Sequence, residues 1–199
     1  MKLAVIIGAT REGRKTDRQA KWAFNTAKQL EDVNAELVDL KDYPMPFFDE
    51  PVSPRYNPER QIDPAVAPWL KKLEEFDAYV LVTPEYNHSV TGVLKNALDY
   101  VTWELLHKPV AVISHGANGG ARAMTDLKEI LSESRAVPIP TVSSTAMSGM
   151  SETIDEDGNL SEAAKANPYG PQKGLDTLLD DLKWYSNALS AARANDKQA

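Results

Sequence analysis

The stretch Leu3-Ala4-Val5-Ile6-Ile7-Gly8-Ala9-Thr10-Arg11-Glu12-Gly13-Arg14-Lys15-Thr16-Asp17 runs from an apolar segment through a glycine and a hydroxyl- and arginine-rich turn into a helical pattern. An unbroken apolar run of this length fits a strand covered on both faces, as in a parallel sheet. Such a strand delivers its turn to the carboxyl edge of the sheet, where the next helix aims free N–H groups and its positive dipole end at an anion. Thr10 and Thr16 add hydroxyl donors, and Arg11 and Arg14 add forked cationic donors suited to phosphate oxygens. A solvated loop with ordinary surface arginines is the plainer alternative.

Residues 1–22 hold Lys2, Arg11, Arg14, Lys15, Arg18 and Lys21 against Glu12 and Asp17, a local excess of positive charge in a chain of 199 residues whose net charge is −7. A small positive focus on an acidic protein suits a compact anionic ligand and argues against nucleic acid, which needs a long basic surface. With no cysteine there is no disulfide, no thiolate metal site and no cysteine nucleophile. Only His88, His107 and His115 remain as nitrogen ligands, and none pair at helical ligand spacing, so no metal site is expected. The first apolar run is too short for a signal-peptide core or a membrane span, and no later segment approaches one; a cytoplasmic protein without membrane contact is expected.

Further strands are expected over 35–40, 78–83, 109–114 and, more weakly, 136–142. Helices are expected over 17–30, 64–76, 92–106, 119–134 and 174–193. In the first of these, Ala20, Ala23, Phe24, Ala27 and Leu30 recur at helical spacing, with Asp17 as the N-cap. Strands alternating with helices read as a doubly wound α/β sheet, and right-handed crossovers favour the flavodoxin-like parallel order 2-1-3-4-5 with helices on both faces. The whole chain, 1–199, then forms one domain: a core over 1–143, a polar insert over 144–172 and a C-terminal helix. The proline-rich stretch 42–61 must be an extended loop, and Phe47 and Phe48 within it need a burial site on the domain or on a partner.

Two more loops follow strand ends. Thr83-Pro84-Glu85-Tyr86-Asn87-His88-Ser89 offers a stiffened exit from the sheet, a flat apolar ring at Tyr86 and an amide at Asn87, which suit a planar heterocycle with carbonyl and N–H edges. A turn with a packed tyrosine is the alternative. Ser114-His115-Gly116-Ala117-Asn118-Gly119-Gly120 places glycines where backbone N–H groups can approach a ligand closely. His115 is a candidate acid or base, with a hydrogen-bonded structural role as the alternative.

Three rival motifs match their patterns less well. Gly8-x-x-x-x-Gly13-Arg14-Lys15-Thr16 differs from a nucleotide-triphosphate P-loop by the inserted Arg14, which puts the lysine out of register, and no acid ends strand 3 to hold magnesium. Asp155-Glu156-Asp157-Gly158-Asn159 has its glycine at the wrong position for a calcium loop and reads as a turn. Ala146-Met147-Ser148-Gly149 is no hydrolase elbow.

Together, Pro84-Glu85-Tyr86-Asn87 followed by Leu94-Lys95-Asn96-Ala97-Leu98-Asp99, with the first and third loops, resemble the NADPH-dependent FMN reductase family, flavodoxin-like flavoproteins that include quinone, azo-dye and chromate reductases. The resemblance covers about residues 1–143. It implies that Thr10, Arg11, Arg14 and Thr16 hold the FMN phosphate. Pro84, Glu85, Tyr86 and Asn87 would run along the ring and ribityl chain, and Ser114, His115, Gly116, Gly119 and Gly120 would border the ring. The family usually has serine where this chain has Ala9, and proline where it has Thr91.

The implied activity is an NAD(P)H-dependent oxidoreductase that passes a hydride through FMN to a small acceptor (quinone, flavin, azo compound or metal oxyanion) in a ping-pong cycle, from a homodimer or homotetramer. NADPH or NADH would be the donor. A flavodoxin-like electron carrier and a P-loop nucleotide enzyme are the competing readings.

Overall fold

The computed structural model describes residues 1–146 and 153–196. Five strands, β1 Lys2–Ile7, β2 Asn34–Asp39, β3 Ala78–Pro84, β4 Pro109–Gly116 and β5 Val137–Ala146, form one parallel sheet in the order β2-β1-β3-β4-β5. This is the expected order. Every residue of β3 and β4 is buried, as strands covered on both faces require. The helices are α1 Thr16–Ala27, α2 Ala67–Glu74, α3 Gly92–Asp99, α4 Ala121–Glu133, the short α5 Glu162–Ala166 and α6 Pro171–Asn195.

Two apolar cores lie on opposite sides of the sheet. One joins Ile6, Leu81 and Val112 to α2, α3 and α4 through Trp69, Leu94 and Leu127; the other joins Val5, Val80 and Ile113 to α1 and α6 through Ala23, Leu175 and Leu179. Trp69 is fully buried, and its indole N–H donates to the Ala97 carbonyl of α3 at 2.9 Å, so the ring brings no unpaired donor into the core.

Several expected boundaries move. The helix expected over 92–106 ends at Asp99, because Val101 and Leu105 reach the core from turns and the Glu104 carboxylate takes the Thr102 N–H at 2.7 Å. The first helix starts at Thr16 and ends at Ala27. Lys15 occupies its N-cap without a side-chain hydrogen bond, and Asp17 lies in its first turn and is not the cap. The second helix is shorter than 64–76, and the C-terminal helix runs from Pro171 to Asn195, longer than 174–193. β5 continues past 142, because pairing of 143–146 with 113–116 of β4 needs only backbone, whatever the side chains. Its Pro138 and Pro140 cannot donate to a further strand, which suits an edge position.

The insert, for which no role was expected, packs on α1. Ile154 and Leu160 are buried and bridged to each other, and around them Arg18 pairs with Glu156 at 2.9 Å, while Lys21 and Asn25 donate to the carbonyls of Glu156 and Asp157. The acidic run is the expected turn, in which the Asp155 carboxylate accepts the N–H groups of Asp157 and Asn159. The motif at Met147-Ser148-Gly149 lies outside the described residues, as does the 147–152 part of the insert. In the proline-rich loop Phe48 meets the Tyr100 ring edge-on at 5.2 Å, and the Asn96 amide bonds the backbone of Phe48 and Pro46, whereas Phe47 is 86% exposed.

Candidate functional site

The carboxyl ends of β1, β3 and β4 are neighbours at the point where the strand order reverses, the place where open α/β sheets form a ligand crevice. A cleft of about 230 Å3 opens there, lined by Arg11, Lys15, Thr16, Pro84, Glu85, Tyr86, His115, Gly116 and Ala117. Three loops build it. Among the described residues no helix is long and apolar enough to span a membrane, and no cluster of acidic and histidine side chains could hold a metal.

Loop 1 leaves β1 at Gly8, whose N–H donates to the Val82 carbonyl at 2.8 Å. A Cβ there would lie 2.7 Å from that oxygen, so the close approach of the two chains admits only glycine. The Gly8 carbonyl accepts the Thr91 hydroxyl at 2.6 Å, and the Thr91 hydroxyl oxygen in turn accepts the Leu94 N–H of α3 at 3.1 Å. Thr91 therefore ties loop 1 to α3.

The basic residues from Arg11 to Lys21 divide into three groups. Arg14 makes a two-pronged ion pair with Asp39 at the end of β2 and also donates to the Ala9 carbonyl, so it braces the loop from behind. Arg18 and Lys21 face the insert. Arg11 and Lys15 line the cleft, and among the described residues neither makes an ion pair or a side-chain hydrogen bond. With no side chain capping α1, its first N–H groups and positive dipole end add to the same spot. Lys15 was not singled out from the sequence, and its place directly before the first helical residue was the available signal.

Loop 3, after β3, is a tight turn. Tyr86 and Ser89 exchange N–H···O bonds of 3.0 Å each, and the central Asn87 and His88 both have positive φ, 48° and 69°. Such a turn suits asparagine and histidine, both of which are enriched at left-handed positions. Glu85 does not face a ligand with its charge: its carboxylate accepts the N–H of Arg122 at 3.0 Å and of Ala123 at 3.4 Å, the first turn of α4. Burial pushes its pKa up, but those N–H groups and the Arg122 charge outweigh burial and hold it below the ordinary value.

Loop 4 turns sharply into α4. Gly120 has φ 78°, and a Cβ there would fall 2.8 Å from the His115 carbonyl; the Ser114 hydroxyl is taken by the Gly119 carbonyl at 2.8 Å. His115 is 3% exposed, and its Nε2 lies 2.9 Å from the Thr16 hydroxyl, which is itself fully buried. Burial, aided by the nearby Arg11 charge and opposed by Asp17, pushes the His115 pKa down to about 4, so the ring is neutral near pH 7.

Of the sequence-predicted residues, the structure brings Arg11, Thr16, Pro84, Glu85, Tyr86, His115 and Gly116 to one cleft. Thr10 lies half-buried on loop 1 and Asn87 at the exposed tip of loop 3, while Arg14, Ser114, Gly119 and Gly120 shape the loops from behind the lining.

A sequence model of the family described as NADPH-dependent FMN reductase matches residues 1–149. An NADPH azoreductase from Bacillus sp. (strain OY1-2) is 35% identical over 187 residues, 92% of this chain and 95% of that protein. An NAD(P)H-dependent FMN reductase of Schizosaccharomyces pombe is 33% identical over 129 residues, 65% of this chain and 64% of that protein, so the match spans just under two thirds of its length. Among solved structures, the flavoenzyme NAD(P)H:(acceptor) oxidoreductase FerB from Paracoccus denitrificans shares the fold, with a TM-score of 0.68 and 22% identity over 96% of this chain and 97% of that one.

Proposed function

Because the chain belongs to the NADPH-dependent FMN reductase family, we propose that its three-loop cleft holds FMN, with the phosphate at the α1 N-terminus. The family makes it an oxidoreductase with FMN as cofactor and NAD(P)H as donor. When bound, FMN would supply the redox chemistry of a ping-pong cycle between NADPH or NADH and a small acceptor such as a quinone, a flavin, an azo compound or a metal oxyanion.

The observation that carries this reading is the pair of cations, Arg11 and Lys15, which face the cleft without an acidic partner among the described residues, beside an uncapped helix end. That donor set fits a phosphate. Thr10 adds a hydroxyl, and Thr16 contributes through its position at the first turn, its own hydroxyl being held by His115. Arg14 acts at one remove, fixing loop 1 to Asp39. Pro84, Glu85 and Asn87 on one side, and Ser114, His115, Gly116, Gly119 and Gly120 on the other, supply or shape the walls for a flat ring, while the Tyr86 ring faces Arg11 on the phosphate side. His115, neutral near pH 7, holds Thr16 and has no imidazolium proton to donate.

The proposal includes a homodimer or homotetramer, in which the exposed Phe47 finds cover on another copy. Initial rates with NADPH and a soluble quinone test the cycle. Parallel double-reciprocal lines are expected; intersecting lines contradict ping-pong, and FMN binding without NADPH oxidation would favour the electron carrier.

A further inference from the structure

The Arg11 guanidinium lies over the face of the Tyr86 ring, 5.2 Å from its centroid. This contact crosses the cleft, joining loop 1 to loop 3. Arg11 is exposed, and its side chain has no other polar tether among the described residues. Loop 3, by contrast, is locked: by the reciprocal Tyr86–Ser89 bonds, by the Glu85 N–H on the His115 carbonyl at 2.8 Å, and by the Glu85 carboxylate on the first turn of α4. A flexible cation stacked on a fixed ring takes its position from the ring, because the ring's negative face attracts the guanidinium.

We propose that Tyr86 is a positioning residue for the anion site: its ring holds Arg11 where the flavin phosphate meets it, and so favours FMN over riboflavin. This rests on the FMN reading above. It differs from a role as a platform for the isoalloxazine, because a platform contributes equally to both flavins, which share that ring, whereas a residue acting through Arg11 contributes only where there is a phosphate. A long, entropy-rich arginine held in place beforehand gives up less freedom when the ligand arrives.

The test measures dissociation constants of FMN and riboflavin, by quenching of flavin fluorescence, for the wild type, Tyr86→Leu, Tyr86→Phe, Arg11→Ala and the double variant Arg11→Ala/Tyr86→Leu. Tyr86→Leu is expected to weaken FMN about two- to fivefold and to leave riboflavin unchanged. Tyr86→Phe, which keeps the ring face, restores the wild-type value and separates this role from loss of fold. In the Arg11→Ala background the Tyr86→Leu effect on FMN disappears. Equal weakening of both flavins by Tyr86→Leu, or an effect on FMN that persists without Arg11, overturns the positioning role while leaving the FMN site standing. FMN binding that ignores Arg11→Ala removes the phosphate assignment itself, and this inference with it.

Discussion

Arg11→Ala is expected to weaken FMN binding about ten- to a hundredfold while leaving riboflavin within about twofold. Arg11 lines the cleft without an ion-pair partner among the described residues, so its charge is available to a phosphate. Removing it takes away charge-assisted hydrogen bonds at a site where the remaining donors are the Thr10 hydroxyl, Lys15 and the uncapped N–H groups of α1. Riboflavin lacks the phosphate and should not register the change. Arg14→Ala should behave differently. It leaves Asp39 without its partner and loosens loop 1, so stability falls and both flavins weaken together. Calorimetric or fluorescence titrations with the two flavins distinguish these patterns; equal loss of both flavins in Arg11→Ala would show that Arg11 acts on the fold and not on the phosphate.

The second large effect is on stability against pH. The folded-state pKa of His115 is pushed down to about 4, while the unfolded side chain titrates near 6.5. A depressed pKa means that below 6.5 the unfolded chain takes up a proton the folded one refuses. The associated stability is therefore fully present above pH 6.5, lost progressively between 6.5 and 4, and amounts to at most about 3 kcal/mol across that window. His115→Gln keeps an amide within reach of Thr16 but carries no titrating group. Urea unfolding from pH 7.5 to 4 should show a steeper loss of stability in the wild type than in the variant, the difference growing below pH 6.5. Identical slopes would place the His115 ring in solvent-like surroundings and contradict the buried pair with Thr16.

The residues that were legible in the sequence are those whose neighbours along the chain determine their environment. The consecutive apolar residues of β1 and β3 announced strands buried on both faces, and handedness left few strand orders, among them the observed one. The three loops announced themselves by glycine, proline and hydroxyl residues at strand ends. What could not be read depended on partners far away in the chain. Arg11 and Arg14 look alike in sequence, and only Asp39, on another strand, draws Arg14 behind the loop. Glu85 sits in the same motif as Tyr86, yet α4 claims its carboxylate. Helix α3 stops at Asp99 although apolar residues continue beyond it, because Val101 and Leu105 are buried by tertiary packing at turns whose spacing imitates a helix. The insert's seat on α1 was hidden for the same reason, since its polar residues pair with Arg18, Lys21 and Asn25 of a helix more than a hundred residues earlier.

The most direct test of the central claim is the visible absorption spectrum of the purified protein after addition of FMN and removal of the excess, followed by NADPH under anaerobic conditions. The account predicts a retained flavin band that bleaches on adding NADPH. A protein that retains no FMN would contradict the three-loop site, and a retained band that stays oxidised would contradict the reductase.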